Sequence, residues 1–246
     1  MEPLPDHWFD TPAGTRSLPA YFLGQVPMEE FLPWQRRLAF EVSGDTHRGA
    51  LIVCEHPPGI TVGRDGSRVH IRYSRQHLQT QGWEVRWVAR GGGVLLHLPG
   101  QIAIYPLLSF SQLYLTPTAF RDAMQKTVMG VLAKYVPNIR TQANRSGLFV
   151  SDRLIAHTGL SIRNNFTSFG MTVNVNPDLD LFHNIWTDGD AVPMTSLQRE
   201  SPLRIWIPTL RQQLAEAVAA SFGFDKLSVF HHHPALKKHD ANAATY

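Results

Sequence analysis

The sequence predicts an α+β fold: a mixed or mostly antiparallel sheet with flanking helices. Two observations lead there. Short apolar or alternating runs of strand length recur before, between and after a few helical stretches, without strict strand–helix alternation. The helical stretches are few and well punctuated, the clearest following Thr116-Pro117. A chain of 246 residues with 43% hydrophobic and 17% charged residues can bury a core without disulfides or metal.

In chain order, residues 1–27 are rich in Pro and Gly and read as an N-terminal arm. The main domain is expected over 28–229. Phe31, Trp34 and Leu38 share one face of a helix from Met28 to Glu41, with Pro33 as its start or a kink. Ala50 to Glu55 is a continuous apolar run bounded by turn signals, which suits a buried strand. His56-Pro-Pro-Gly59 breaks it, and Ile60 to Gly63 resumes extended. A short helix from Ser74 is stopped by Gly82. Glu84 to Ala89 alternates, and Gln101 to Leu108 is a further strand. Phe120, Met124, Val128, Val131, Leu132 and Tyr135 form the apolar face of the helix after Pro117. Strands follow at 147–150, 154–162 and 167–175. A last helix spans about Pro208 to Phe222 before Gly223. The part from about Leu181 is expected as a small lobe on the main domain. Residues 230–246, with His231-His-His233 and Lys237-Lys-His239, read as a mobile tail with incidental metal affinity.

Composition narrows the function classes. The net charge of +3 is small, and no Lys/Arg stripe is interleaved with aromatics, so nucleic acid is not an expected partner. No stretch reaches the ~18 apolar residues of a membrane span, and no secretory signal is visible. A soluble cytoplasmic protein is expected. The single cysteine, Cys54, excludes an intramolecular disulfide and a multi-cysteine zinc site.

Four segments carry a family resemblance. They are Glu55-His-Pro-Pro-Gly-Ile-Thr-Val-Gly-Arg64, Arg90-Gly-Gly-Gly-Val-Leu-Leu-His-Leu-Pro-Gly-Gln101 with Tyr105-Pro106, Gly147-Leu-Phe-Val150 through Gly159 to Asn174-Val-Asn176, and Pro177-Asp-Leu-Asp-Leu-Phe182 through Met194-Thr-Ser-Leu197. Together they resemble the lipoyl(octanoyl) transferases, which are related in fold to lipoate- and biotin-protein ligases. The resemblance covers roughly residues 28–222. It implies a biotin/lipoate ligase-like domain, octanoyl-acyl carrier protein and lipoyl domains as partners, and no cofactor. It also implies a substrate site at Arg90, Gly91, Gly92, Gly93, His97 and Gly159. Beside it, the residues keep plainer readings. The glycines also suit a bend between strands. Arg90 clamps an anion or pairs with a carboxylate. His97 is more often a hydrogen-bonded core histidine than a catalyst.

The family's covalent chemistry uses a cysteine thiolate, a lysine and a histidine. Matched on the flanking glycines, those positions hold Asp188 before Gly189, Leu154 five residues before Gly159, and Phe169 before Gly170. Four other groups could supply the missing chemistry. Arg153, beside Leu154, points to the other face of a strand. Cys54 lies in an apolar run where burial makes a thiol inert. Asp188 could attack a thioester to give a mixed anhydride, or lie in a solvated loop with Thr187 and Asp190. A metal held by Asp188, Asp190 and His183 or His157 needs geometry that the spacing does not establish. Three function readings remain: an acyltransferase with a divergent mechanism, a catalytically dead homologue that binds acyl groups or lipoyl domains, and, weakest, an acyl-adenylate-forming ligase.

Overall fold

The structure, a computed structural model, describes residues 16–43, 49–143 and 145–236. Eleven strands and six α-helices are formed there, and the strands make two sheets. The large sheet contains β1 (Ser17–Gln25), β2 (Ala50–Glu55), β6 (Gln101–Leu107), β7 (Ile139–Thr141), β8 (Gly147–Val150), β9 (Arg153–Arg163), β10 (Phe166–Asn174) and β11 (Lys226–Phe230). Its order is β11-β1-β2-β6-β10-β9-β8-β7. β1 runs parallel to both neighbours, and every other pairing in this sheet is antiparallel. The small sheet has β3 (Gly59–Val62) between β4 (Val85–Trp87) and β5 (Val94–His97).

The large sheet is buried on both faces, which explains why its central strands read as unbroken apolar runs rather than as alternation. In β2, Leu51 and Val53 point into one core while Ile52 and Cys54 point into another. In β6, Ile102 and Ile104 join the first core, and Ala103, Tyr105 and Leu107 the second. The first face is covered by α4 (Pro117–Leu132) and α6 (Ile207–Ser221) through Phe120, Met124, Val128, Leu210, Leu214 and Val218. The opposite face is covered by α1 (Met28–Ser43) through Phe31, Trp34 and Leu38. A third core lies under the small sheet, where Val62, Val94 and Leu96 meet Phe149, Phe182, Ile185 and Met194.

Most local expectations hold. Thr116 caps α4, its hydroxyl accepting from the Ala119 N–H at 3.1 Å. Ser74 caps α2 (Arg75–Thr80) in the same way. Helix α1 runs through Pro33, which forfeits one hydrogen bond to the carbonyl of Glu29. The two remaining α-helices, α3 (Phe110–Leu113) and α5 (Leu197–Glu200), are single turns.

Four expectations are corrected. The segment read as an arm over 1–27 contains β1 from Ser17 onward; residues 1–15 lie outside those described. Pro19 and Gly24 look like turn punctuation, yet Leu18 and Ala20 alternate inward and the strand is clamped between β2 and β11. The expected tail begins with Phe230, the last residue of β11. Beyond it, His231 packs on Phe22 and His233 on Tyr21 and Trp34. Lys237 to His239 lie outside the described residues. No separate lobe forms after Leu181: Phe182 to Met194 complete the third core, and α6 belongs to the first. His97, which the family resemblance places in the loop lining the acyl site, ends β5 and pairs with Gly59.

Phe120 is fully buried and stacks on Phe222 with ring centroids 4.8 Å apart, joining α4 to the end of α6. Phe120→Ala should cost about 3–5 kcal/mol in a urea melt, with an unchanged m-value.

Candidate functional site

The site is assembled around the three glycines between β4 and β5. The Gly91 N–H donates to the Leu160 carbonyl of β9 at 2.8 Å, and the Gly63 N–H donates to the Gly93 carbonyl at 2.9 Å. The Val94 N–H donates to the Thr187 carbonyl at 2.7 Å. The loop is thereby threaded between β9, the end of β3 and the segment leading to Asp188. Gly92 has φ +77°, a conformation that glycine adopts without a Cβ penalty. A Cβ on Gly93 would lie 1.9 Å from the Thr187 carbonyl oxygen, so no larger residue fits. The glycines therefore serve both readings given above: they form a bend, and they allow a close approach, to the chain's own backbone.

Beneath the loop lies a chamber of buried polar groups. The Arg90 guanidinium donates to Thr61 O at 3.1 Å, Thr61 Oγ1 at 3.0 Å and Gly91 O at 3.0 Å. Its Nε has no partner. Burial lowers the Arg90 pKa to about 10, so it stays cationic at neutral pH. Thr61 Oγ1 also lies 2.9 Å from His97 Nε2. His97 Nδ1, the other ring nitrogen, is buried without a hydrogen-bond partner. Burial, followed by the neighbouring His56, Arg90 and His157, holds the His97 pKa well below the usual imidazole range. His56 donates from Nδ1 to the Val26 carbonyl at 2.6 Å and accepts from the Tyr105 hydroxyl at 3.1 Å. Burial lowers its pKa to about 4.

His157 and Asp188 meet at the edge of this chamber. Asp188 Oδ1 accepts from the Gly93 N–H at 3.3 Å, and Oδ2 from the Ser146 N–H at 3.4 Å. His157 Nε2 is buried without a hydrogen-bond partner and lies 3.9 Å from Asp188 Oδ1, an ion-pair distance rather than a hydrogen bond. Burial lowers the His157 pKa, against the pull of the Asp188 carboxylate. Burial would raise Asp188, but His157 and the two backbone N–H groups outweigh it and hold the carboxyl below its usual range.

Two cavities flank the pair. The inner one, about 10 Å³, is lined by Thr61, Arg90, His97, His157, Gly159 and Phe169 among others. That is room for about one water. The outer one is an open groove of about 420 Å³, bounded by Arg64, Gly91, Gly92, Arg121, Ser146 and Leu160 with their neighbours. Its size is that of a small-molecule site.

The expected site residues separate into three places. Arg90, Gly91, Gly92, Gly93, His97, Gly159 and Asp188 surround the chamber and the loop. Phe169 lines the inner cavity, with its ring edge-on to Tyr105 at 5.9 Å. It does so at φ +58°, rare for a bulky residue and confined to places where the surroundings enforce it. Leu154 lines neither cavity; it leans over Gly147 and packs with Phe149 and Met194 in the third core. Asp190 and His183 are exposed and do not join Asp188, and no metal-holding group of three His, Cys, Asp or Glu occurs among the described residues. Arg153 is ion-paired with Glu200 rather than solvated. Thr61 and Ser146 escaped the sequence reading, since an isolated Thr or Ser carries no positional signal.

The profile of the lipoyl protein ligase A/B catalytic domain matches residues 27–219. The chain belongs to that family. Within it, the octanoyltransferase of Maridesulfovibrio salexigens is 30% identical over 180 residues, covering 73% of this chain and 84% of that protein. The octanoyltransferase of Desulfotalea psychrophila is 29% identical over 192 residues, covering 77% and 86%. The mitochondrial octanoyltransferase LIP2 of Arabidopsis thaliana is 26% identical over 217 residues, covering 85% and 91%. In fold, the chain is similar to a lipoate-protein ligase A solved with ATP, with a TM-score of 0.71, 12% identity, and 89% and 90% of the two chains covered.

The residues lining the two cavities and the glycine loop include no thiol. The lone cysteine, Cys54, is fully buried in β2, where burial pushes its thiol pKa far up. Iodoacetamide should therefore label Cys54 at least ~100-fold more slowly in the folded protein than in urea, read by intact mass. Rapid labelling near neutral pH would show that the strand opens.

The buried histidines set a pH dependence of stability. Their folded pKa values are lowered, so below the unfolded value of about 6.5 the unfolded chain binds protons that the folded chain refuses. Stability should fall as pH drops from about 6.5 towards about 4, where His56 titrates in the fold. Asp188 adds to this loss at lower pH still, as its depressed carboxyl is protonated. Urea midpoints at pH 7.5, 6 and 5 check this; a flat profile would mean that the chamber admits protons.

Proposed function

We propose that this protein handles octanoyl or lipoyl groups in protein lipoylation, passing them from acyl carrier protein to a lipoyl domain with no acyl thioester on the enzyme. One observation carries the reading. A carboxylate, Asp188, occupies the position that resembles the family's nucleophile, and it is held by the backbone N–H groups of Gly93 and of Ser146, the latter a residue of the outer groove wall. The groove offers Pro117, Leu160 and Ile162 to an acyl chain, and Arg64 with Arg121 to anionic groups beside it. The inner cavity holds about one water, so an eight-carbon chain belongs in the groove. The related octanoyltransferases support octanoyl as the group handled, and a fold neighbour solved as a ligase with its E2 lipoyl domain supports the kind of acceptor.

A second reading, binding without transfer, draws on Leu154 and Phe169. Both are apolar, and both fill space in packed surroundings. The two readings part in one incubation of the protein with octanoyl-acyl carrier protein and an apo lipoyl domain, followed by intact mass. Transfer should appear as an octanoyl gain on the lipoyl domain and no adduct on this chain. An adduct on Cys54 would refute the thiol-free route. Binding of either partner without any mass gain would leave the second reading standing.

A further inference from the structure

Asp188 fastens the Gly93 and Ser146 N–H groups, but the buried His157 beside it has no hydrogen-bonding task at Nε2. His157 Nε2 is buried to 3% side-chain exposure, unpartnered, and turned toward a carboxylate 3.9 Å away. A buried polar atom left so costs free energy that a purely structural histidine avoids by finding a partner. Asp188 remains 22% exposed and is fixed by two backbone donors, one of which belongs to Ser146 in the groove wall. The carboxylate is thus the more exposed member of the pair, held from behind the Ser146 wall of the groove, and the imidazole is the buried one. A fixed, ionised carboxylate next to a groove whose charged lining side chains are Arg64 and Arg121 marks a place for a cation beside sites for anions.

Resting on the reading above, we propose that Asp188 and His157 form the acceptor-amine site: the carboxylate receives the primary ammonium of the acceptor lysine, and the pair takes up the proton the amine must lose before attack. An amine attacks a thioester carbonyl only through its lone pair, and lysine near neutral pH is almost wholly protonated. The ammonium proton passes to the pair, which becomes an imidazolium beside a carboxylate. The amine nitrogen then forms the C–N bond to the acyl carbon, and the C–S bond breaks. The proton retained by the pair goes to the leaving thiolate, the amide loses its second amine proton to solvent, and no electrons are exchanged with any further reagent. Asp188 touches the substrate; His157 is a positioning and proton-holding residue. Burial keeps His157 neutral before the amine arrives, and the Asp188 carboxylate beside it is what favours the proton on the pair. Arg90 and His97, which face it across the inner cavity, are the other titratable groups of that chamber.

The test compares two nucleophiles: the apo lipoyl domain, whose lysine arrives as an ammonium, and hydroxylamine, which is already neutral. Asp188→Asn preserves the shape and an acceptor oxygen for the Gly93 N–H. It should lower octanoyl transfer to the lipoyl domain by about 100-fold, within the usual range for general-base assistance, and transfer to hydroxylamine by less than about tenfold. His157→Gln should show its loss at pH 7 and recover as pH rises towards the range of lysine itself. Equal losses with both nucleophiles would overturn the proposal while leaving the transfer reading intact. So would an octanoyl adduct on Asp188, which would make it the nucleophile. If the original chain transfers to neither acceptor, the transfer reading falls. Calorimetry then decides the ammonium site: lysine acetylation of the lipoyl domain and Asp188→Asn should each weaken binding at least tenfold, and unchanged affinity would overturn it.

Discussion

The site depends on the contact between the Gly93 backbone and the Thr187–Asp188 backbone. With no Cβ at Gly93, the Thr187 carbonyl comes close enough to accept from the Val94 N–H, and Asp188 comes close enough to take the Gly93 N–H. This one approach joins the small sheet to the segment that closes the third core. It also brings a residue nearly a hundred positions away in sequence beside the glycine loop. Ser146 meets the same carboxylate from the start of β8, so three distant stretches of chain are fastened at a single side chain.

The chamber below is held by exclusion of water rather than by charge pairing. Arg90 is buried with carbonyl and hydroxyl oxygens as partners, and it has no carboxylate ion pair among the described residues. Its charge suppresses protonation of the surrounding histidines, and burial does so more strongly. Neutral imidazoles are the outcome, and they are compatible with a tight interior only while the glycine loop stays closed. Packing of this kind links local motion of the loop to proton uptake, because His97 and His157 line the small cavity beneath it.

The altered family positions suit their surroundings. Leu154 is apolar within an apolar core, and a lysine there would place a charge among Phe149, Phe182 and Met194. Phe169 fills the space beside Tyr105 at a backbone angle that costs roughly 1–3 kcal/mol, which burial of its ring offsets. Asp188 is a carboxylate that two N–H donors help to keep ionised. The three residues therefore differ: two consolidate packing, and one keeps a charge behind the Ser146 wall of the groove.

Local signals in the sequence determined a good deal. The continuous apolar runs of β2 and β6, the Thr116-Pro117 cap and the helical faces of α4 and α6 were legible because each is encoded by residues near one another in the chain. The four family segments were legible for the same reason. Strands β1 and β11 were not: Pro19 and Gly24 look like turns, and β11 is short and largely exposed, so only pairing makes them strands. Nor did the sequence reveal that Leu154 turns into a core while His157, three residues on, faces Asp188. Facing depends on the pairing of β9 with β8, which carries a register shift between Leu148 and Phe149, and one residue of register exchanges the two faces of a strand. The residue types were written in the chain, but which of them share a cavity was decided by backbone hydrogen bonds between segments that no local pattern connects.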